Sequence, residues 1–340
     1  MPRLLFFMLV ASPLFASPDG DPPPIKLGPA TTHQVRFVQT VSCVSPSGRG
    51  RLEALEIRVA LPRSGPRQKV LSLEYSRTPD RFLEDRHGNT FAVFDRERLP
   101  AGGTISVGWT ARVLTRQVVH SIDAGSLRPL ATCPEDIRKT YLRPGEVYSM
   151  DDPAVRKAAT EAARGARNPL DLAFRINEYV RRKLRYVNDG RWDTAATVLR
   201  NGTGSCSEYG FLFIALCRLN GLPARFVGAT ALREDGERYV DRIHHRWSEV
   251  YLPGHGWYPV DVSRNDGEDQ RTINRFFGRT SDRLLVLMRG DGGGNAPLGW
   301  GYVSEVRAVR RADAGLRRSK RFIWTKPLGE TPASYVQKTP

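Results

Sequence analysis

Three residues that lie far apart in the chain have the types needed for nucleophilic acyl transfer, and the first is a cysteine. Cys206 ends the stretch GTGSC and begins CSEYGFLFIALCRLN (206–220), a composition typical of a buried helix. A thiol at the first turn of a helix faces free backbone N–H groups and the positive end of the helix dipole, which favour the thiolate. The thiolate is the nucleophile, and the same N–H groups could stabilise an oxyanion. We expect Gly202 and Gly204 to leave room for a substrate backbone.

A base and an orienting carboxylate are available downstream, in HHRWSEVYLPGHGWYPVD. The pattern predicts a strand that begins at His245, a turn at PGHG and a return strand that carries Asp261. If Tyr251 pairs with Trp257, His245 and Asp261 become diagonal neighbours on one face, within reach of an imidazole and a carboxylate. If Leu252 pairs with Trp257 instead, the two side chains point to opposite faces. The sequence leaves this register open.

The other histidines of this segment allow a metal-site alternative. His244 is expected on the face opposite to His245, and His255 is expected to be solvated in the turn. A zinc site made of His244, His245 and His255 would lack a regular ligand spacing and a fourth ligand. We therefore expect no metal and no cofactor.

The four cysteines are expected to differ in role. Cys206 and Cys217 lie eleven residues apart on the predicted helix, roughly 16 Å along its axis, whereas a disulfide needs Cα atoms within about 7 Å. Cys43 and Cys133 are then the pair that a disulfide could join. Cys217 lies within the apolar run and is expected to be a small buried side chain. Cys206 is expected to be a free thiol.

The elements that must position these residues change character along the chain. Residues 31–135 contain short β-rich stretches separated by Pro/Gly/Asp clusters, which predicts a β-sandwich. Residues 146–290 begin with helices and continue with strands, which predicts an α+β domain of helices packed on an antiparallel sheet. Residues 291–340 are expected to form C-terminal strands and a basic tail. Their place in a sheet is not specified by the sequence.

Three helices are predicted before the cysteine. Asp152-Pro153 and Asn168-Pro169 are helix starts, with proline at the first helical position. The second helix is expected to cover PLDLAFRINEYVRRKLRYV, because its apolar residues recur every four positions. TAATVLRN is a third, short helix. After the cysteine helix, ARFVGATAL, HHRWSEVYL and GWYPVD are predicted strands. The loop at 233–243 could lie over the site.

The first residues predict export. Arg3 precedes a short apolar run, and Ala16 ends a small-residue pattern, so residues 1–16 are interpreted as a signal peptide. The run is too short to span a membrane well, and no later segment approaches a span. Residues 17–30 form a Pro-rich leader that is expected to be disordered or an extended spacer. We expect a periplasmic or secreted protein.

The formal net charge of +16 has two interpretations. It could attract an anionic polymer or a membrane surface, or it could reflect an arginine-rich, solvated surface. The arginines are scattered, which favours the second interpretation. No nucleic-acid motif is present, and no nucleic-acid partner is expected.

Taken in order, G-x-C, the helix, GLPARFVGA, H-x-W and GWYPVD resemble the transglutaminase-like superfamily, a papain-related group with the chain order Cys, His, Asp. The resemblance covers residues 150–280. It implies acyl transfer with Cys206 as the nucleophile, His245 as the general base and acid, and Asp261 as the orienting carboxylate. It also implies a β-rich N-terminal domain, and it places Trp247 and Trp257 as packing residues near the site. Crosslinking members use a tryptophan as an oxyanion donor, and no motif here assigns that role to Trp192.

Three classes of function are considered for this sequence. The first is a cysteine protease, amidase or acyltransferase that forms a thioester on Cys206. It would act on a protein or peptide, with cell-wall peptide as one candidate and with hydrolysis favoured over amine transfer. The second is a catalytically silent scaffold or binding protein of the cell envelope. The intact set of Cys206, His245 and Asp261 favours the enzyme. A third, anionic-polymer binder would show binding that collapses with salt.

Overall fold

The structure is a computed structural model, and it describes residues 25–266, 272–290, 298 and 302–326. Within these residues the helices are α1 (Glu135–Tyr141), α2 (Pro153–Ala163), α3 (Pro169–Lys183), α4 (Ala195–Asn201) and α5 (Cys206–Leu219). The strands are β1 (Ile25–Val44), β2 (Arg51–Ala60), β3 (Gln68–Tyr75), β4 (Arg81–Glu84), β5 (Thr90–Pro100), β6 (Thr104–His120), β7 (Arg185–Tyr186), β8 (Thr203–Gly204), β9 (Ala224–Ala231), β10 (Arg238–Asp241), β11 (His245–Leu252), β12 (Gly256–Val260), β13 (Arg279–Thr280), β14 (Leu284–Gly290), β15 (Ser304–Arg311) and β16 (Gly315–Thr325). The fold class is α+β, as expected.

The N-terminal part forms a sandwich of two antiparallel sheets. One sheet has the order β10-β16-β1-β6-β13, with β3 also paired to β6, and the other has the order β15-β2-β5-β4. Their facing side chains alternate along each strand and bury a shared core, in which Phe37, Trp109 and Phe322 are in ring contact. The indole N–H of Trp109 donates to the Ala60 carbonyl at 2.9 Å, which ties the first sheet to the second.

Helices α2 to α5 and the antiparallel sheet β12-β11-β9-β14 form the second unit. Residues 206–218 of α5 are all buried, because most of its side chains are apolar, on every side of the helix, and other elements enclose it. The predicted helix starts are confirmed: Asp152 caps α2, and Asn168 caps α3 with its side-chain oxygen. The helix α3 ends at Lys183 rather than Val187, because Leu184 becomes extended and the chain pairs as β7 with β8.

The chain outside the central domain is arranged differently from the expectation. Residues 25–30 of the predicted leader are part of β1, where they lie against β6. The C-terminal strands do not form a separate unit, because β15 pairs with β2 and β16 pairs with β1. Strand patterns report local preference, whereas these pairings join residues more than 200 positions apart. The predicted signal peptide (1–16) and the end of the basic tail (327–340) lie outside the described residues.

The sandwich and the second unit are held together along β14. The Gln68 side chain donates to the Val286 carbonyl and accepts from the Val286 N–H, at 2.9 and 2.8 Å. The Asn89 side chain makes the same two kinds of contact with the backbone of Arg289. Side chains thus pair with strand backbone across the boundary, which fixes the sheet that carries the candidate site.

The cysteines and the helices of the described residues each bear on one expectation from the sequence. The four cysteines are buried free thiols, so the disulfide considered for Cys43 and Cys133 is not formed. Burial raises the pKa of Cys133 to about 11 and that of Cys217 well above its ordinary value. None of the helices in the described ranges is long and apolar enough to cross a membrane.

Candidate active site

The cysteine stands at the start of α5 because the preceding residues stop one helix and begin the next. Gly202 ends α4 in the left-handed region (φ 65°). The Glu208 carboxylate accepts from the Ser205 backbone N–H at 2.9 Å, in a capping box that starts α5. A Cβ on Gly204 would lie 2.6 Å from the Glu208 Cβ. A left-handed backbone at Gly202 and a close side-chain contact at Gly204 therefore explain why these positions are glycines. The expectation from the sequence was that they leave room for a substrate backbone.

The register of the β11–β12 hairpin is the one that brings the base and the carboxylate together. Tyr251 pairs with Trp257, and Ser248 pairs with Val260. The prediction of strand, turn and return strand is thus confirmed, together with the first of its two registers. The His245 Nε2 atom lies 2.6 Å from an Asp261 carboxylate oxygen. Both side chains are buried, which strengthens their electrostatic interaction.

Cys206 completes the arrangement from the helix side. Its side chain hydrogen-bonds with His245 and with the backbone N–H of Arg246. Since Nε2 of His245 faces Asp261, Nδ1 is the nitrogen left for the sulfur. The structure thus joins α5, β11 and the end of β12 through one buried chain of hydrogen bonds.

The electrostatics of this chain favour the charged forms. Burial raises the pKa of Cys206, but the hydrogen bond and charge of His245 outweigh it, and the pKa lies below its ordinary value. Burial lowers the pKa of His245, but the Asp261 carboxylate and then Cys206 overcome it and raise the pKa to about 9. Burial also raises the pKa of Asp261, and the charge of His245 brings it below the ordinary value. Thiolate, imidazolium and carboxylate stabilise one another.

Asp261 is itself held in place by its own end of the hairpin. Its second carboxylate oxygen accepts from the Ser263 hydroxyl at 3.1 Å and from the Arg264 backbone N–H at 3.3 Å. The Asp261 backbone N–H donates to the Phe276 carbonyl at 3.2 Å. Two further hydrogen bonds therefore hold the carboxylate that aligns the imidazole and a third holds its backbone, in the way that well-ordered sites support their reacting groups.

Two neighbours of the cysteine were not identified from the sequence. The backbone N–H of Cys206 donates to the hydroxyl of Tyr186, whose side chain is 43% exposed. The guanidinium of Arg246 is buried among the rings of Trp192, Phe226 and Tyr302, 4.2 to 4.7 Å from their centroids. Arg246 lies between His245 and Trp247 of the H-x-W motif, and this position in the sequence could have identified it as a neighbour of the site. Tyr186 lies twenty residues before the cysteine and has no such signal.

The remaining histidines lie apart from this chain of hydrogen bonds. His244 is buried beside Asp241, and burial lowers its pKa. His255 is also buried, so the expectation of a solvated turn is wrong. It packs against the end of β6 of the sandwich, where its Nε2 lies 2.8 Å from the Nδ1 of His120. Within the described ranges, no group of His, Cys, Asp and Glu is arranged to hold a metal ion.

The tryptophans of the two motifs have packing contacts. Trp247 is buried and stacks on His245, with ring centroids 6.0 Å apart and an interplanar angle of 25°. Trp257 lies under the guanidinium of Arg225, at 3.6 Å. The third residue considered, Trp192, contacts Phe211 at 6.0 Å. Trp247 is thus the tryptophan that bears directly on the imidazole.

A cleft of about 410 Å³ opens beside His245. Its described lining includes Tyr186, Ser263 and three arginines, Arg233, Arg264 and Arg283. The stretch at 233–243 contributes Arg233 to this lining, while its later residues pair as β10 with β16. A buried thiol–imidazole–carboxylate chain whose imidazole lines an open cleft, on an α+β scaffold, is the arrangement of papain-related folds.

Comparison with known proteins places the domain more narrowly. Residues 156–262 match the family model of the transglutaminase-like superfamily. The chain therefore carries a transglutaminase-like domain, as the sequence motifs predicted.

Individual proteins with similarity cover most of the chain. A curated relative from Haemophilus influenzae, described as an uncharacterized protein, is 25% identical over 267 residues, which is 67% of this chain and 68% of the relative. The crystal structure of a candidate cysteine protease from Cytophaga hutchinsonii has a TM-score of 0.61 at 18% identity and covers 87% of this chain and 92% of its own. The periplasmic domain of TgpA from Pseudomonas aeruginosa has a TM-score of 0.37 at 16% identity, and the alignment covers 68% of this chain and 87% of that domain. The Cytophaga structure shows the same fold.

Proposed function

We propose that this protein is an exported cysteine-dependent enzyme that cleaves a peptide or amide bond through a thioester on Cys206. The observation that supports this most is the buried chain from Cys206 through His245 to Asp261, in which His245 also lines an open cleft. Export is part of the proposal because of the signal-like residues 1–16. Cell-wall peptide is the substrate that an exported location suggests.

The first half-reaction forms the thioester. The Cys206 thiolate attacks the carbonyl carbon of the amide, and the carbonyl electrons move to the oxygen. At the start of α5 the Tyr186 hydroxyl accepts from the backbone N–H of Cys206, so its own O–H can donate to that oxyanion and stabilise it. When the C–N bond breaks, the His245 imidazolium gives its proton to the leaving amine.

The second half-reaction decides the product. Water gives a proton to His245 and its oxygen attacks the thioester, so that the C–S bond breaks and an acid and the thiolate are released. A primary amine in place of water would give a new amide. We propose that hydrolysis is the main outcome. Asp261 keeps the imidazole oriented and stabilises its charge in both halves.

The experiment uses the mature full-length protein, a mixture of N-acetylated, C-amidated peptides, water enriched in ¹⁸O and a fluorescent primary amine. Hydrolysis places one ¹⁸O atom in each new carboxylate, and amine transfer places the fluorophore on the peptide, so mass spectrometry separates the two. The matched controls are Cys206→Ala and His245→Ala. We expect ¹⁸O-labelled carboxylates with the wild-type protein and none with either variant.

The alternative is a scaffold protein that keeps this fold without turnover. It predicts no product in either channel, together with full rescue of a chromosomal deletion by Cys206→Ala. An intact hydrogen-bonded set of three residues has no evident use in a scaffold, which is why the enzyme is preferred. Product that needs both Cys206 and His245 would exclude the scaffold.

A further inference from the structure

The cleft beside His245 is lined by three arginines that come from three different segments. Arg233 follows β9, Arg264 follows β12, and Arg283 immediately precedes β14. Their convergence is a product of the fold, because nothing in their spacing along the chain suggests it. No acidic residue is among the described residues that line the cleft.

Each guanidinium is held by a contact that leaves hydrogen-bond donors for a ligand. Arg233 donates from one nitrogen to the His244 carbonyl. Arg264 lies over the ring of Phe276, with its central carbon 4.0 Å from the ring centroid. Arg283 pairs with a carboxylate, that of Asp235, whose side chain is 89% exposed. Since a guanidinium has five N–H donors, these contacts leave most of them unused.

Two carboxylates of the described part of the chain that are close to these arginines already have partners. Asp261 is buried and bonded to His245, and Asp235 projects into solvent. Burial lowers the pKa of Arg264, the charge of Asp261 partly opposes that shift, and the charges of Arg233 and Arg275 add to it. Among the described residues that line it, the cleft carries three cations and no carboxylate, and a cleft lined by one sign of charge attracts an anion. Guanidinium groups bind carboxylates in paired hydrogen bonds, which fixes position as well as charge.

We propose that the acyl substrate carries a carboxylate close to the scissile amide, and that Arg264, assisted by Arg233 and Arg283, binds it. This inference rests on the proposed function, because it assigns the substrate class of the same site. The carboxylate could belong to an acidic side chain or to a free chain terminus. In either case the substrate is an acidic peptide.

The test compares two alkylating probes of nearly equal size that differ in charge. Iodoacetate is an anion and iodoacetamide is neutral, and both report on Cys206 by mass-mapped modification. The ratio of their second-order rate constants at low ionic strength measures the field in the cleft. The imidazolium of His245 and the guanidinium of Arg246 contribute equally in every variant, so the change between variants isolates the three arginines.

A unit charge roughly 6 Å from a carboxylate in a water-like medium changes a rate about threefold. We therefore expect Arg264→Gln to lower the iodoacetate-to-iodoacetamide ratio about threefold, and the triple variant with Arg233→Gln and Arg283→Gln to lower it about tenfold or more. Raising the salt concentration should shrink both differences, because the cleft is open to solvent. The matched control is Arg317→Gln, which removes the same charge at an exposed position of β16 within the sandwich and should leave the ratio unchanged.

The outcomes separate the two proposals. Equal ratios in the wild-type, Arg264→Gln and triple variants, with fast iodoacetamide labelling in all of them, would overturn the substrate class and leave the enzyme proposal standing. Iodoacetamide labelling that rises only near the free-thiol pKa of about 8.5 would overturn the enzyme proposal itself, and this inference with it. An iodoacetate-to-iodoacetamide ratio that falls in Arg264→Gln and in the triple variant, but not in Arg317→Gln, supports the inference.

Peptides then identify the source of the carboxylate. One pool contains Asp and Glu with amidated termini, a second lacks Asp and Glu but has free termini, and a third has neither carboxylate. Preference for the first pool assigns a side chain, and preference for the second assigns a terminus. Either preference should disappear in Arg264→Gln, whereas equal cleavage of all three pools would contradict the inference.

Discussion

The substitution Asp261→Asn tests how much the charge of this carboxylate stabilises the thiolate of Cys206. The substitution keeps the shape of the side chain and removes the charge that lies 2.6 Å from Nε2 of His245. That charge is the largest of the influences that raise the pKa of His245 to about 9. Without it, burial dominates and favours the neutral imidazole. The thiolate of Cys206 then loses its charged partner and reverts towards the thiol.

The size of the effect follows from the value of a hydrogen bond to a charged group. Such bonds contribute about 1.5–3 kcal/mol when both partners are buried. Since 1.4 kcal/mol is a factor of ten, the population of the thiolate–imidazolium pair should fall about ten- to a hundredfold. The rate of Cys206 alkylation at pH 6 should fall by the same factor.

The assay is the second-order rate of iodoacetamide labelling between pH 4 and pH 10, with the modified site mapped by mass spectrometry. Asp266→Asn is the matched control, because it makes the same chemical change in a carboxylate that accepts from the Tyr209 hydroxyl at 2.6 Å. Its profile should follow the wild type. The thermal midpoint of each variant, measured by circular dichroism, reports whether the fold is retained.

One result would refute this reasoning. If folded Asp261→Asn labels at pH 6 as fast as the wild type, the carboxylate does not sustain the ion pair. The lowered pKa of the thiol would then come from His245 and Arg246 without the charge of Asp261, and the role of Asp261 would be restricted to the orientation of the ring.

Three further predictions concern the pH profile, the oxyanion and the start of α5. The kcat/KM value should rise as Cys206 ionises below its ordinary pKa and fall as His245 loses its proton near pH 9, because neutral imidazole cannot protonate the leaving amine; a plateau through pH 10 would count against this. Tyr186→Phe should slow the burst of 4-nitrophenol from 4-nitrophenyl acetate about a hundredfold while iodoacetamide labelling stays unchanged, and equal bursts would remove Tyr186 from the oxyanion site. Gly204→Ala should lower the free energy of unfolding in urea by about 1–3 kcal/mol, because its Cβ would meet a side chain at 2.6 Å. The control Gly210→Ala meets its neighbour at an ordinary 3.5 Å and should be neutral or stabilising, so equal losses in both would contradict the argument.

Local features of this protein were predictable from the sequence because they depend on neighbouring residues. The caps at Asp152 and Asn168 and the start of α5 at Cys206 follow from capping chemistry and apolar periodicity. The strand from His245 to Leu252 follows from its residue types. The order of Cys206, His245 and Asp261 in the chain, together with the motifs around them, led to the hypothesis of acyl transfer.

The hairpin register is the intermediate case. The sequence allowed Trp257 to pair with either Tyr251 or Leu252, and these choices place Asp261 on opposite faces. The structure has the first pairing, with a turn in which Gly254 and Gly256 adopt positive φ angles of 84° and 94°. The turn also packs against the sandwich, where the His255 ring meets His120. The local sequence is compatible with two registers, and the folded structure contains only the one in which Tyr251 pairs with Trp257.

Only the tertiary structure decided which distant residues surround the cysteine. Tyr186 reaches it because β7 pairs with β8, and the three arginines of the cleft come from segments that meet through the sheet. The C-terminal strands joined the N-terminal sandwich, although their own pattern showed no partner. Capping and periodicity are properties of a few consecutive residues. Strand partners, burial and the charge of a cleft depend on contacts between segments far apart in the chain, and folding alone brings those segments together.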